Sequence, residues 1–204
     1  MAAAGSALVA LYGLSYLARG EAAFPPDLAP SFQSRPWGIF GHALGGSIAL
    51  VTGVLQVNRS SLRRSRAWHH RIGYVYLSAV LLTGVSGLYL APFAFGGWIT
   101  TAGFGSLALW LLVSTATAYR RIRSRDFVGH RAWMLRSFAA IFAAVTLRIE
   151  LPLLVAAFGG NFTPAYRIVA WLAWVPNLLW AEWWLARRPG PEVVAEVLEL
   201  AGPG

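Results

Sequence analysis

The chain has 204 residues, 57% hydrophobic and 12% charged, with 17 basic side chains, all arginine, against 8 acidic ones. The charged share is about half that of an ordinary soluble domain, and the positive charge falls in short blocks between long apolar runs, which excludes a disordered tail protein or a soluble nucleic-acid reader. With no cysteine and no lysine, disulfides, thiolate chemistry, iron–sulfur and Cys-zinc sites, a Schiff base and a phosphate-loop lysine are excluded too.

A membrane-spanning helix needs about 20 mostly apolar residues. Six segments meet or approach that length, at about 4–17, 37–57, 72–91, 98–119, 132–158 and 164–186. The expectation is an all-α polytopic membrane helix bundle with six transmembrane helices. Residues 1–186 form a single transmembrane domain, and 187–204 a short cytoplasmic tail with an acidic amphipathic stretch, PEVVAEVLEL. The first segment is short enough to suggest a secretory signal, but Met1 to Ser6 carries no positive charge, which argues against one.

Arginine placement sets the orientation, because cytoplasmic loops carry the excess of basic residues. Arg59, Arg63, Arg64, Arg66 and Arg71 surround the loop after the second segment. Arg120, Arg121, Arg123, Arg125 and Arg131 surround the loop after the fourth, and Arg187 and Arg188 follow the sixth. The opposite side has Arg19, Arg35 and Arg167. Both termini are therefore expected on the cytoplasmic side, with no nucleic-acid partner.

Trp37, Trp68, Trp98, Trp183 and Trp184 fall near segment ends, where an indole sits at the acyl boundary with its N–H in water. Trp110, Trp171, Trp174 and Trp180 lie deeper. Gly41 and Gly45, with Gly46 and Ser47, make a small-residue face that lets helices approach closely, and Gly84 and Gly87 offer another. Pro152 and Pro176 each remove a backbone donor and are expected to kink the fifth and sixth helices.

Of the four histidines, His69 and His70 open the third segment and His130 opens the fifth. His70 and His130 would share one membrane level on helices running in the same direction, the placement a bis-imidazole b-type haem requires. Arg71, Arg131 and Arg136 are then the candidate propionate partners. The plainer reading is an interfacial anchor, with charge in the headgroups. A zinc or copper site would need a third ligand, from His69 or Glu182. Ionisable side chains within spans are costly and mark sites by default. His42 and Arg148 fall in the outer half, Asn177 near mid-depth, and Arg136, Glu182 and Gln56 toward the cytoplasm. His42, Gln56, Arg148, Asn177 and Glu182 are candidate intramembrane polar-site residues, with an Arg148/His42 cluster toward the outer face and an inner network of Arg136, Glu182 and Gln56, the plain alternative being interhelical hydrogen bonding. Glu150 lies two residues beyond Arg148, so the two point in different directions on a helix. There is no dinucleotide fingerprint, metalloprotease helix, nucleophile elbow or phosphate loop.

Four strings carry a resemblance together: HALGGSIALVTGVLQ (42–56), HRIGYVYLSAVLLTGVSGLYLA (70–91), GHRAWMLRSFAAIFAAVTLR (129–148) and AWLAWVPNLLWAEW (170–183). The chain resembles a family of bacterial predicted integral membrane proteins catalogued as domain of unknown function 2306, over about residues 37–186. The resemblance implies a bacterial cytoplasmic-membrane location. It also assigns characteristic positions to His42, Gln56, His70, Arg71, Gly73, Tyr76, Trp133, Met134, Arg136, Arg148 and Asn177. Glu150 departs from the usual apolar residue there. In helix count and histidine placement the chain is also distantly similar to transmembrane cytochromes b. Two functions follow as expectations. One is a redox protein holding haem b between His70 and His130 and exchanging electrons with a quinone or a membrane redox partner. The other is a non-redox binding or transport protein, or an accessory subunit, with a polar pocket around Arg148, His42 and Asn177.

Overall fold

The computed structural model describes residues 2–23, 27–57 and 65–187. Arg59, Arg63, Arg64, Arg188 and the acidic stretch at 191–200 lie outside them. The described residues form nine α-helices and two short 3-10 turns, with no strand among them. The helices are α1 (Ala2–Arg19), α2 (Ala29–Gln33), α3 (Pro36–Val57), α4 (Arg66–Leu90), α5 (Trp98–Arg123), α6 (Phe127–Ile141), α7 (Ala143–Ala157), α8 (Phe162–Leu172) and α9 (Val175–Arg187).

Four stretches are long and apolar enough to cross a bilayer: Pro36–Val57, Arg66–Phe93, Trp98–Arg123 and Phe127–Ala157. The last contains α6 and α7. Local signals explain the helix ends. The Ser65 hydroxyl accepts from the Trp68 N–H at 3.3 Å and starts α4 six residues before the expected Ile72. The Asp126 carboxylate accepts from the Gly129 N–H at 2.8 Å and starts α6. Asn161 caps α8 through the Thr163 N–H. Each cap satisfies a donor that the first helical turn leaves unpaired.

Lipid supplies no hydrophobic drive between helices, so close approach depends on small residues. A Cβ on Gly45 would lie 2.7 Å from the Ala79 carbonyl oxygen and the Thr83 nitrogen, so α3 runs almost backbone to backbone against α4. A Cβ on Gly84 would lie 2.6 Å from Leu112, which locks α4 to α5. Gly103 does the same for α5 against Ala170 of α8, where a Cβ would meet the carbonyl oxygen at 2.7 Å. One core cluster collects Val9, Leu50, Tyr76, Val80, Leu111, Ile141 and Val145, and a second collects Tyr166, Val169 and Trp174 with aromatic neighbours. The outer surface is also apolar: Leu81, Leu153 and Leu179 are 59%, 66% and 64% exposed. In water that would be an aggregation liability, whereas in a bilayer it is the lipid-facing surface. Trp37 and Trp98 stand exposed at the helix ends opposite the arginine-rich end, and Trp68 and Trp183 are exposed at the arginine-rich end.

Two helical stretches are interrupted. Phe142 separates α6 and α7, which have 15 residues each, so the break falls at the centre of that passage. No proline is near it. The Val145 N–H bonds the Phe142 carbonyl, a tighter three-residue closure, and the Thr146 side chain sits against the local carbonyls, a recognised cause of helix breaks. Ala173 and Trp174 separate α8 (11 residues) from α9 (13 residues). Pro176 follows at once and deprives the Leu172 carbonyl of its intrahelical donor. The expected kink in the sixth segment thus falls just before Pro176. In the fifth, α7 continues through Pro152 and the interruption lies ten residues earlier.

Candidate functional site

At the arginine-rich end, helical phase decides which histidine faces inward. α4 buries Ile72, Tyr76, Ala79, Val80 and Thr83. His69 precedes Ile72 by three residues and shares that face. It is half-buried and lies within electrostatic reach of His130. His70 is rotated off the face and is exposed, as is Arg71. The Gln56 amide donates to the His69 carbonyl at 2.8 Å, tying the end of α3 to the start of α4. His130 is half-buried, with Nδ1 2.9 Å from the Ala118 carbonyl of α5. That bond puts a proton on Nδ1, since a carbonyl oxygen only accepts.

The haem arrangement does not fit these residues. His70 points away from the interior that would have to hold the ring. Arg136, a candidate propionate partner, is engaged: Nε and Nη2 donate to the two Glu182 carboxylate oxygens at 2.5 and 2.7 Å, and the guanidinium lies 4.7 Å from the Trp133 ring centroid. Arg131 is half-buried at the start of α6. Among the described residues no group of three or more histidine or acidic side chains is placed to hold a metal ion. The third ligand that zinc or copper would need is therefore not supplied by His69 or Glu182.

A buried hydroxyl chain lies deeper. The Tyr76 hydroxyl is 2.6 Å from Ser137 Oγ, which is 2.6 Å from Thr115 Oγ1, joining α4, α6 and α5. Ser137 and Thr115 were not legible as site residues in the sequence. The signal was their helical phase: Ser137 falls on the side of α6 that buries Ala140 and Ile141, where a hydroxyl needs a partner.

Toward the other end, His42 Nδ1 lies 3.1 Å from the Thr83 carbonyl, and the Thr83 hydroxyl donates to the His42 carbonyl at 2.9 Å. Arg148 is within electrostatic reach of His42. Its Nη1 donates to the Ala144 carbonyl at 2.8 Å, and its guanidinium lies 5.0 Å from the Tyr12 ring centroid of α1. Glu150 carries a buried Oε2 without a hydrogen-bond partner among the described residues.

Asn177 joins the two helix breaks. Its Nδ2 donates to the Ala173 carbonyl at 2.9 Å and to Thr146 Oγ1 at 3.2 Å, and approaches the Ala139 carbonyl at 3.4 Å. Thr146 in turn donates across to Ala173. The break between α6 and α7 and the break between α8 and α9 therefore lie side by side. One amide and one hydroxyl bond carbonyls there. Arg148 and Glu150 extend from the same helix within a turn of Thr146.

Fold and site together define an all-helical, multi-pass membrane protein with polar side chains gathered at interrupted helices. The chain belongs to the predicted membrane protein family DUF2306, whose family model matches residues 39–185. No curated protein and no solved structure matches it.

Proposed function

We propose that the protein is a six-span membrane protein of a bacterial cytoplasmic membrane with both termini on the arginine-rich, cytoplasmic side. Residues 1–186 form its one transmembrane domain and 187–204 its tail. In this reading α1 is the first passage and α8 with α9 the sixth. The break explains why neither half of that passage reaches spanning length alone. The protein acts as a non-redox binding or transport protein, with its ligand site beside the paired breaks.

The observation that carries this reading is the Asn177–Thr146–Ala173 junction between two interrupted helical stretches. Irregular backbone at membrane depth is tolerated where protein buries it or where it faces a water-filled cavity. Interrupted helices meeting near the midplane are a recurrent way to build a transporter site. The ionisable residue nearest the junction that suits recognition is Arg148, whose planar guanidinium matches a carboxylate or phosphate. His42, within its electrostatic reach, adds a second nitrogen donor or acceptor. A small anion is the ligand class this pair fits.

The test is thermal stabilisation of the detergent-solubilised protein by acetate, succinate and inorganic phosphate. One of these raises the melting temperature of the wild type and of Arg136→Ala, but not of Arg148→Ala with unchanged helical content. Equal stabilisation of the Arg148→Ala variant removes the reading.

A further inference from the structure

The tight contact between α4 and α5 does not extend along their whole length. It is closed at Gly84 and Leu112, but one turn closer to the arginine-rich end Ala116 replaces a large side chain, and the two helices leave a groove of about 320 Å³. Leu77 and Leu81 line one wall, and Leu112 and Ala116 the other. Thr115 also borders it, but its hydroxyl is taken by Ser137 inside the bundle, so the lining is almost wholly apolar. The groove opens outward: Leu81 is 59% exposed and Ala116 is exposed. Its volume is at the small end of ligand pockets, about 300–1,000 Å³. It suits an extended hydrocarbon chain better than a helix of about 10 Å diameter.

Two tyrosines, Tyr74 and Tyr119, close the groove toward the arginine-rich end, the depth at which amphipathic aromatics mark the membrane interface. The helical stripes that line the groove then continue into charge. Arg71 lies one turn before Tyr74 on α4, Arg123 one turn after Tyr119 on α5, and Arg120 one turn after Ala116. All three arginines are exposed. Their neighbour Arg121 is held by Asp126 at 2.9 Å, which occupies the acidic group of that loop. An apolar slot thus leads directly to three guanidinium groups.

We infer that the groove between α4 and α5 is a binding site for an acidic phospholipid, one acyl chain lying along Leu77, Leu81 and Ala116 and the phosphate held by Arg71, Arg120 and Arg123. Charge complementarity selects this occupant over a zwitterionic lipid, because guanidinium pairs well with phosphate and basic side chains at the surface attract acidic headgroups. The site is separate from the paired helix breaks and stands or falls independently of the small-anion reading.

Native mass spectrometry of the detergent-purified full chain, mixed with equal phosphatidylglycerol and phosphatidylcholine, tests this. Phosphatidylglycerol is retained preferentially, and Arg71→Gln and Arg123→Gln each lower its retention about fivefold. Arg187→Gln, at the same end but off the groove, leaves it unchanged. Ala116→Trp, at an exposed position that fills the slot, lowers retention of both lipids. Adding inorganic phosphate alone displaces little lipid, since it lacks the acyl chain. Equal retention of the two lipids overturns the proposal. So does an Arg187→Gln effect as large as that of Arg71→Gln, unchanged retention in Ala116→Trp, or full displacement by phosphate.

Discussion

The two halves of the bundle keep their backbones satisfied in different ways. α3, α4 and α5 run 22, 25 and 26 residues without interruption, so their carbonyls are paired within each helix, and they touch through glycine faces with a few side-chain bonds such as Thr83 to the His42 carbonyl. The helical stretches built from α6 with α7 and from α8 with α9 are both broken near their centres, and side chains of Asn177 and Thr146 bond carbonyls at the breaks. An apolar solvent penalises every unpaired backbone group. The uninterrupted half meets that demand by regularity, and the interrupted half by spending polar side chains at mid-depth. The proposed small-anion site draws on both halves, with Arg148 from α7 and His42 from α3.

The contrast gives different mutational signatures. The largest effect is expected in the uninterrupted half. Gly45→Ala forces a methyl against the backbone of α4 and is expected to cost about 1–3 kcal/mol. Gly46→Ala, whose Cβ would lie 3.4 Å from Thr83 Oγ1, is expected to be neutral or slightly stabilising, since alanine favours helix over glycine. Unfolding in mixed micelles measures both, and equal costs at the two glycines would mean that the backbone contact is not what holds α3 to α4. Asn177→Leu is expected to cost less, about 1–2 kcal/mol. A double-mutant cycle with Thr146→Val should return a coupling of about 0.6–1.7 kcal/mol, the range seen for interhelical hydrogen bonds in membranes. A coupling near zero would separate the two breaks energetically.

The smallest effect lies where the halves join, between α5 and α6. The Gly129 N–H, and then the Arg121 guanidinium, hold the Asp126 carboxyl below its ordinary value. Its contribution to the α6 cap is therefore complete above the usual carboxylate pKa of about 4 and fades as the pH falls through the lowered value. Amide exchange at Gly129 and His130 should accelerate in acid beyond its intrinsic trend, and Asp126→Asn should flatten that excess. An excess that survives the substitution would place the titrating group elsewhere.

Much of the architecture was legible in the sequence because apolar run length and glycine spacing are local properties. The expected second and fourth segments coincide with α3 and α5 at nearly every end, and the glycines of α3 do contact α4. The misplaced kink in the fifth segment has a physical cause: proline is a visible breaker, while a threonine that reaches into its own helix and a neighbour's is not visible until the neighbour is in place. The histidines teach a similar lesson. His70 was chosen by its depth, shared with His130, but depth is only one of two helical coordinates. The phase set by Ile72 and Tyr76 turns His69 inward instead. Arg136 and Glu182, grouped by depth, form an ion pair, while Gln56, assigned to the same group, bonds the His69 backbone.

Thiol accessibility tests the central claim most directly, because the chain has no native cysteine. Thr146→Cys and Asn177→Cys probe the paired breaks, and Ser114→Cys probes a buried hydroxyl position of α5 in the uninterrupted half. With an anionic, water-soluble methanethiosulfonate reagent, the account predicts modification of the first two, slowed by Arg148→Ala, and none at Ser114→Cys. Protection of Thr146→Cys and Asn177→Cys equal to that of Ser114→Cys would contradict it, leaving the breaks as sealed packing features and not a ligand site.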